Sequence, residues 1–123
     1  MTAEELKTRT KSLAIRIIRL FRALPRSVEA QVMGKQLLRC GTAVGANYRA
    51  ACRSRSRQEF VAKLGVVVEE ADETGYWLEL LSDSGVLPRR RLEPLLLEAN
   101  ELTAIFNAAR RTTRSSKITN HKS

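Results

Sequence analysis

Histidine is nearly missing from this chain, cysteine occurs twice, and Phe, Tyr and Trp make up only 5% of its 123 residues. Each shortage removes a class of chemistry. With no CxxC spacing and a single His121 in a polar terminal stretch, no structural zinc site can be assembled. Cys40 and Cys52 fall on one predicted helix, roughly 18 Å apart, well beyond the ~7 Å that a disulfide spans. No run of about 18 apolar residues exists, so no membrane span is expected. The N-terminal MTAEELKTRTK has no apolar signal core, and the expected compartment is the cytoplasm. No nucleophile and base stand together, so no catalytic residue, cofactor or metal is expected, and the reading is of a protein that is not an enzyme.

What remains is helical. The length suits one domain with one core, burying about two thirds of its unfolded surface. Leu, Ala, Glu and Arg dominate a composition that is 43% hydrophobic. We expect an all-α, up-down-up-down four-helix bundle over residues 1–112 and a disordered basic tail over 113–123.

Helix one is expected from about Ala3 to Leu24. Leu6, Leu13, Ile17, Leu20 and Leu24 recur at helical spacing with Phe21 at the edge. Arg16, Arg19, Arg22 and Arg26 fall on the other side near Lys11. Ile15 and Ile18 lie among those cations, either as ordinary exposed residues or as a subunit contact. Pro25 ends the element. Ser27 caps helix two, which should reach about Arg53 with Val32, Leu37, Leu38, Val44, Tyr48 and Ala51 as its apolar positions. Gly41, Gly45 and Ala46 form a narrow strip that admits a close neighbour. Asn47, in mid-helix, calls for a hydrogen bond to a facing helix.

The turn Arg53 to Arg57 reads RSRSR. It is either a solvated turn or a phosphate-contacting loop, since arginine offers a planar fork of donors. Ser56 and Glu59 match a capping box for helix three, Arg57 to about Ser82. Phe60, Leu64, Val67, Ala71, Leu78 and Leu81 form its core stripe. Val66, Val68, Tyr76 and Trp77 broaden it, as in a helix central to its bundle or shared with another subunit. Glu69, Glu70, Asp72 and Glu73 cluster there. A di-iron bundle would need Glu-x-x-His on two helices, so pairing with arginines of helix two or of a neighbour is the expectation. Gly85 suits a left-handed turn. Helix four should start at Arg89 or Arg90 and run to Thr112, with Pro94 in its first turn. Leu95, Leu96, Ala99, Leu102, Phe106 and Ala109 supply its core face.

Net charge is +9, and its layout matters more than its size. Residues 1–26 hold seven cations and two anions, 27–57 six and one, 58–88 one and seven, 89–123 eight and three. Basic excess favours polyanionic partners, while the acidic third segment can pair within the bundle or across subunits.

The stretches QLLRCGTAVGANYRAA, SRQEFVAKLGVVVEEADETGYWLELL and LLLEANELTAIF resemble the bacterial four-helix-bundle family, also called the 23S rRNA intervening-sequence protein family or S23-like. The combination of Asn47, the Glu70–Thr74 block with Asp72 and Glu73, and Tyr76-Trp77 carries the resemblance, which covers about Ile17 to Phe106. Where this chain has Cys40 or Thr42, the family often has Ser. The resemblance implies a homopentameric ring with a central channel and a non-enzymatic role. Genes for some members lie within 23S rRNA intervening sequences. The related accessory variability proteins of diversity-generating retroelements bind nucleic acid and a reverse transcriptase.

Two functional readings follow. In one, Arg16, Arg19, Arg22 and Arg26, with Arg53, Arg55 and Arg57, contact the phosphates of RNA or another nucleic acid. In the other, the oligomer is a scaffold whose basic face docks an acidic protein.

Overall fold

The computed structural model describes residues 1–115 with their side chains, and the backbone of the last helix to Lys122. Four helices follow in order: α1 (Ala3–Arg22), α2 (Val28–Cys52), α3 (Arg57–Asp83) and α4 (Arg89–Lys122). Each packs on the next and α4 returns to α1, which leaves α1 diagonal to α3. Short turns make successive helices antiparallel. The all-α four-helix bundle expected from the sequence is the fold.

Local chemistry sets the helix starts. Thr2 and Glu5 form a capping box at α1. Ser27 accepts from the Ala30 amide and Ser56 from the Glu59 amide. The α3 cap departs from the box: the Glu59 carboxylate takes the Arg55 amide instead of that of Ser56. That bond, with Lys63 beside it, holds the carboxyl below the usual range. Gly85 takes φ +79°, the left-handed position expected after α3.

The core is a column of leucines closed by Phe106, whose ring lies 5.0 Å from that of Tyr48. The α1 stripe is as expected, with Thr10 added to it; its buried hydroxyl is satisfied by the Leu6 carbonyl at 2.8 Å. α2 differs more. Val32 is 56% exposed and leaves the core, while Ala30, Met33, Gly34, Cys40 and Gly41 enter it. The reason is proximity: a Cβ on Gly34 would lie 2.4 Å from Leu24, just past α1, and one on Gly41 2.4 Å from Ile17 of α1. The close-approach strip is therefore Gly34, Gly41 and Gly45, and Ala46 faces solvent. On α3, Phe60, Val68 and Trp77 are only partly buried, and Val66 and Tyr76 are exposed.

Two boundaries also move. Pro94 is the sixth residue of α4 and lies past its first turn. Arg90 and Pro94 are both exposed, so water can satisfy the carbonyl that proline leaves without a donor. Helical geometry also continues beyond Thr112, where the Thr113 hydroxyl donates to the Ala109 carbonyl. The remainder of the expected disordered tail, 116–123, lies outside the residues whose side chains are described.

Candidate nucleic-acid interface

Antiparallel packing decides which arginines meet. α4 runs back along α1, so the end of one lies beside the start of the other. Arg16 and Arg19 of α1 line a groove of about 330 Å³ with Arg91 of α4, together with Leu20, Pro94 and Leu95. Arg22, Arg26 and Arg90 are exposed at the same end of the bundle. Among the described residues, none of Arg16, Arg19, Arg22, Arg26, Arg90 and Arg91 forms an ion pair. Arg16 is half-buried, and its charge helps to depress the Glu98 carboxyl without contacting it.

Arg53, Arg55 and Arg57 are elsewhere. The 25 residues of α2 separate Arg26 from Arg53, about 37 Å at helical rise. The seven arginines named from the sequence therefore form two patches at opposite ends, not one surface. The structure adds Arg90 and Arg91 to the α1 patch. Their helix-start position carries no hint of that neighbour; only the return of α4 onto α1 supplies it.

Further along the α1–α4 seam the charges are consumed. Arg9 grips Glu98 with two 2.7 Å hydrogen bonds and reaches Glu101 at 2.8 Å. This clasp drives the Arg9 guanidinium above its ordinary value and holds the Glu98 carboxyl below it.

The acidic segment behaves differently again. Arg39 of α2 pairs with Glu73, and its second amino group lies 3.5 Å from Glu70. The Trp77 indole donates to Glu73 at 3.0 Å, and the Tyr76 ring meets Trp77 edge-on with centroids 5.0 Å apart. The Thr74 hydroxyl donates to the Glu70 carbonyl and lies 3.4 Å from the Cys40 sulfur. Burial pushes the Cys40 thiol up, which keeps it protonated and poor as a nucleophile. Asn47 does not reach a facing helix: it is half-buried and donates to the Ala43 carbonyl of its own helix at 2.9 Å. Asp72 and Glu69 point into solvent. Among the described residues no group of His, Cys, Asp and Glu is placed to hold a metal ion. No helix among them is long and apolar enough to cross a membrane.

The central constellation of α2 and α3 is thus a packed, ion-paired seam. A family model described as 23S rRNA-intervening sequence protein matches residues 4–108. The chain belongs to that family. A solved structure from Bacteroides thetaiotaomicron, described as a protein with unknown function from the S23 ribosomal protein family, is similar at 34% identity. The match covers 90% of this chain and 99% of that one, with a TM-score of 0.83. No curated protein matches the chain. Within this member of the 23S rRNA-intervening sequence protein family, one cluster of arginines without a carboxylate in ion-pair distance, among the described residues, lies where α1 ends and α4 begins.

Proposed function

We propose that this protein is a non-enzymatic nucleic-acid-binding protein of the cytoplasm, acting as a homo-oligomer, and that the α1–α4 end contacts phosphate groups. One observation carries the reading: Arg19, Arg22, Arg26, Arg90 and Arg91 are exposed together and, among the described residues, have no carboxylate within ion-pair distance. Like charges held side by side raise the local potential, and a polyphosphate relieves it while releasing counterions. Phosphate contacts position a nucleic acid and carry little sequence information, so discrimination between sequences should be weak. The family's link to 23S rRNA makes RNA the first ligand to test.

Charge also supports self-association. α3 exposes Glu69, Asp72, Glu79 and Asp83 around Tyr76 and Val66, whereas the diagonal helix α1 exposes Lys11 and Ile15 ahead of its arginine end. Complementary patches on opposite sides of a protomer favour head-to-tail contacts, and these close into rings when the rotation permits. A ring would repeat the arginine end and multiply affinity through avidity.

The competing reading puts an acidic protein on the same arginines. Filter binding of 23S rRNA fragments and of random RNA separates the two. Nucleic-acid binding predicts retention of both RNAs by the native protein and loss of both on joint Arg19→Glu and Arg91→Glu substitution. No retention of either RNA at low salt leaves the scaffold reading in its place.

A further inference from the structure

The arginine end also bears on which form of nucleic acid fits it. We propose that it takes double-stranded nucleic acid in preference to single strands, with two rows of guanidinium groups facing the two phosphate rows that border a groove. This rests on the nucleic-acid reading of the same surface.

The first argument is composition. Proteins that hold single strands stack bases on exposed aromatic rings, a contribution of about 1–3 kcal/mol per base. This end of the bundle offers no such ring. Phe21 is half-buried: it borders a groove with Arg22 and Arg26, but one face of its ring packs about 3 Å from where a Gly34 side chain would begin, so it offers no free platform. Tyr48 and Phe106 are buried. The exposed Tyr76 and its neighbour Trp77 belong to α3, diagonal to α1 and surrounded by Glu69, Asp72, Glu73 and Glu79. A strand laid on those rings would run past carboxylates, where its phosphates are repelled.

The second argument is shape. Arg19 and Arg22 stand one turn apart on α1, while Arg90 and Arg91 stand on α4. Packed helix axes lie roughly 8–10 Å apart. Arg19 and Arg91 line one groove from its two sides, so guanidinium groups are offered from both helices at once. A single strand offers one phosphate row and leaves the second helix unused. The third argument is stiffness. Both rows are fixed on helices, so they meet a rigid duplex without further ordering, whereas a flexible strand must be ordered to bind. Duplexes also carry the higher axial charge density, which strengthens counterion release.

The test measures fluorescence anisotropy of the full chain with an RNA duplex, a DNA duplex and the separate unstructured strands of each, all of one length and at one low salt concentration. The expected result is duplex affinity about tenfold or more above that of either strand. Strands that bind as tightly as duplexes, with binding still lost on joint Arg19→Glu and Arg91→Glu substitution, overturn the duplex preference and leave the nucleic-acid reading standing. Failure of every probe to bind overturns both. Tyr76→Ala should leave strand and duplex affinities unchanged; a selective loss of strand binding in that variant reveals a stacking site and also overturns the proposal.

Discussion

Arg39 on α2 and Arg19 on α1 are both exposed arginines beside a helix seam, but only Arg39 has carboxylates opposite it. The difference comes from what the next helix brings. α3 carries seven acidic residues, Glu59 in its first turn among them, and one lysine besides its initial arginine. It therefore presents Glu70 and Glu73 to α2. α4 opens with Arg89, Arg90 and Arg91, and of these only Arg89 pairs with a carboxylate, Glu93 of its own helix. Where α4 meets the end of α1, like faces like. Net charge alone would have treated the two seams as equivalent. Their neighbours make one a structural contact and the other an unspent potential.

Moving charge at each seam should therefore have different consequences. The largest effect is on binding. Joint Arg19→Glu and Arg91→Glu substitution is expected to reduce RNA affinity about 100-fold or more at low salt, because several phosphate contacts are reversed in sign. Arg39→Glu should leave affinity within about twofold, since that charge is already engaged. Equal losses in both variants, measured by filter binding, would erase the distinction.

Stability should respond in the opposite sense. Arg39→Glu places a third carboxylate beside Glu70 and Glu73, and a loss of about 1–2 kcal/mol in urea unfolding is expected, reduced by the partial exposure of the pair. The Arg9 clasp should show a smaller effect with a pH signature. Its pairing holds the Glu98 carboxyl below the ordinary range. The stabilisation is thus complete above the unfolded-chain value of about 4.3 and is lost as pH falls through the depressed folded value. Arg9→Ala should cost about 1 kcal/mol at neutral pH and flatten the acid limb of a stability–pH curve. An acid limb unchanged by the substitution would assign the depression of Glu98 to another cause.

The smallest effect has the most informative sign. Arg91→Glu alone should raise the stability of the unliganded protein by a few tenths of a kcal/mol, because it relieves repulsion from Arg16 and Arg19. Differential scanning calorimetry without nucleic acid checks it. A destabilised variant would mean that Arg91 is bonded in a way the seam comparison omits.

The sequence revealed elements more readily than neighbours. Leu6, Leu13, Ile17, Leu20 and Leu24 announced the buried face of α1 because large apolar residues at helical spacing have few other uses. Val32 misled because more than half of the buried face of α2 is glycine, alanine and cysteine, interleaved with Met33, Leu37, Val44 and Tyr48, and a hydrophobic pattern under-reads such small residues. Asn47 was expected to reach across the bundle, yet its own helix offers the Ala43 carbonyl at the right distance. Pairing of the acidic cluster with an arginine of helix two was legible from charge alone; that the arginine is Arg39 was not. The separation of Arg26 from Arg53 was available in principle, since an antiparallel bundle sends successive turns to opposite ends. The company of Arg19 and Arg91, more than seventy positions apart, needed the fold.

The most direct test of the central claim, that unpaired arginines at the α1–α4 end meet a polyphosphate, is the salt dependence of RNA affinity. About five phosphate contacts predict a slope near −4.5 for a duplex in a plot of log affinity against log salt, a fall of roughly 10²–10³-fold between 50 and 200 mM. The joint Arg19→Glu and Arg91→Glu variant should lose most of that slope. A native protein whose affinity is flat over the same range contradicts the account.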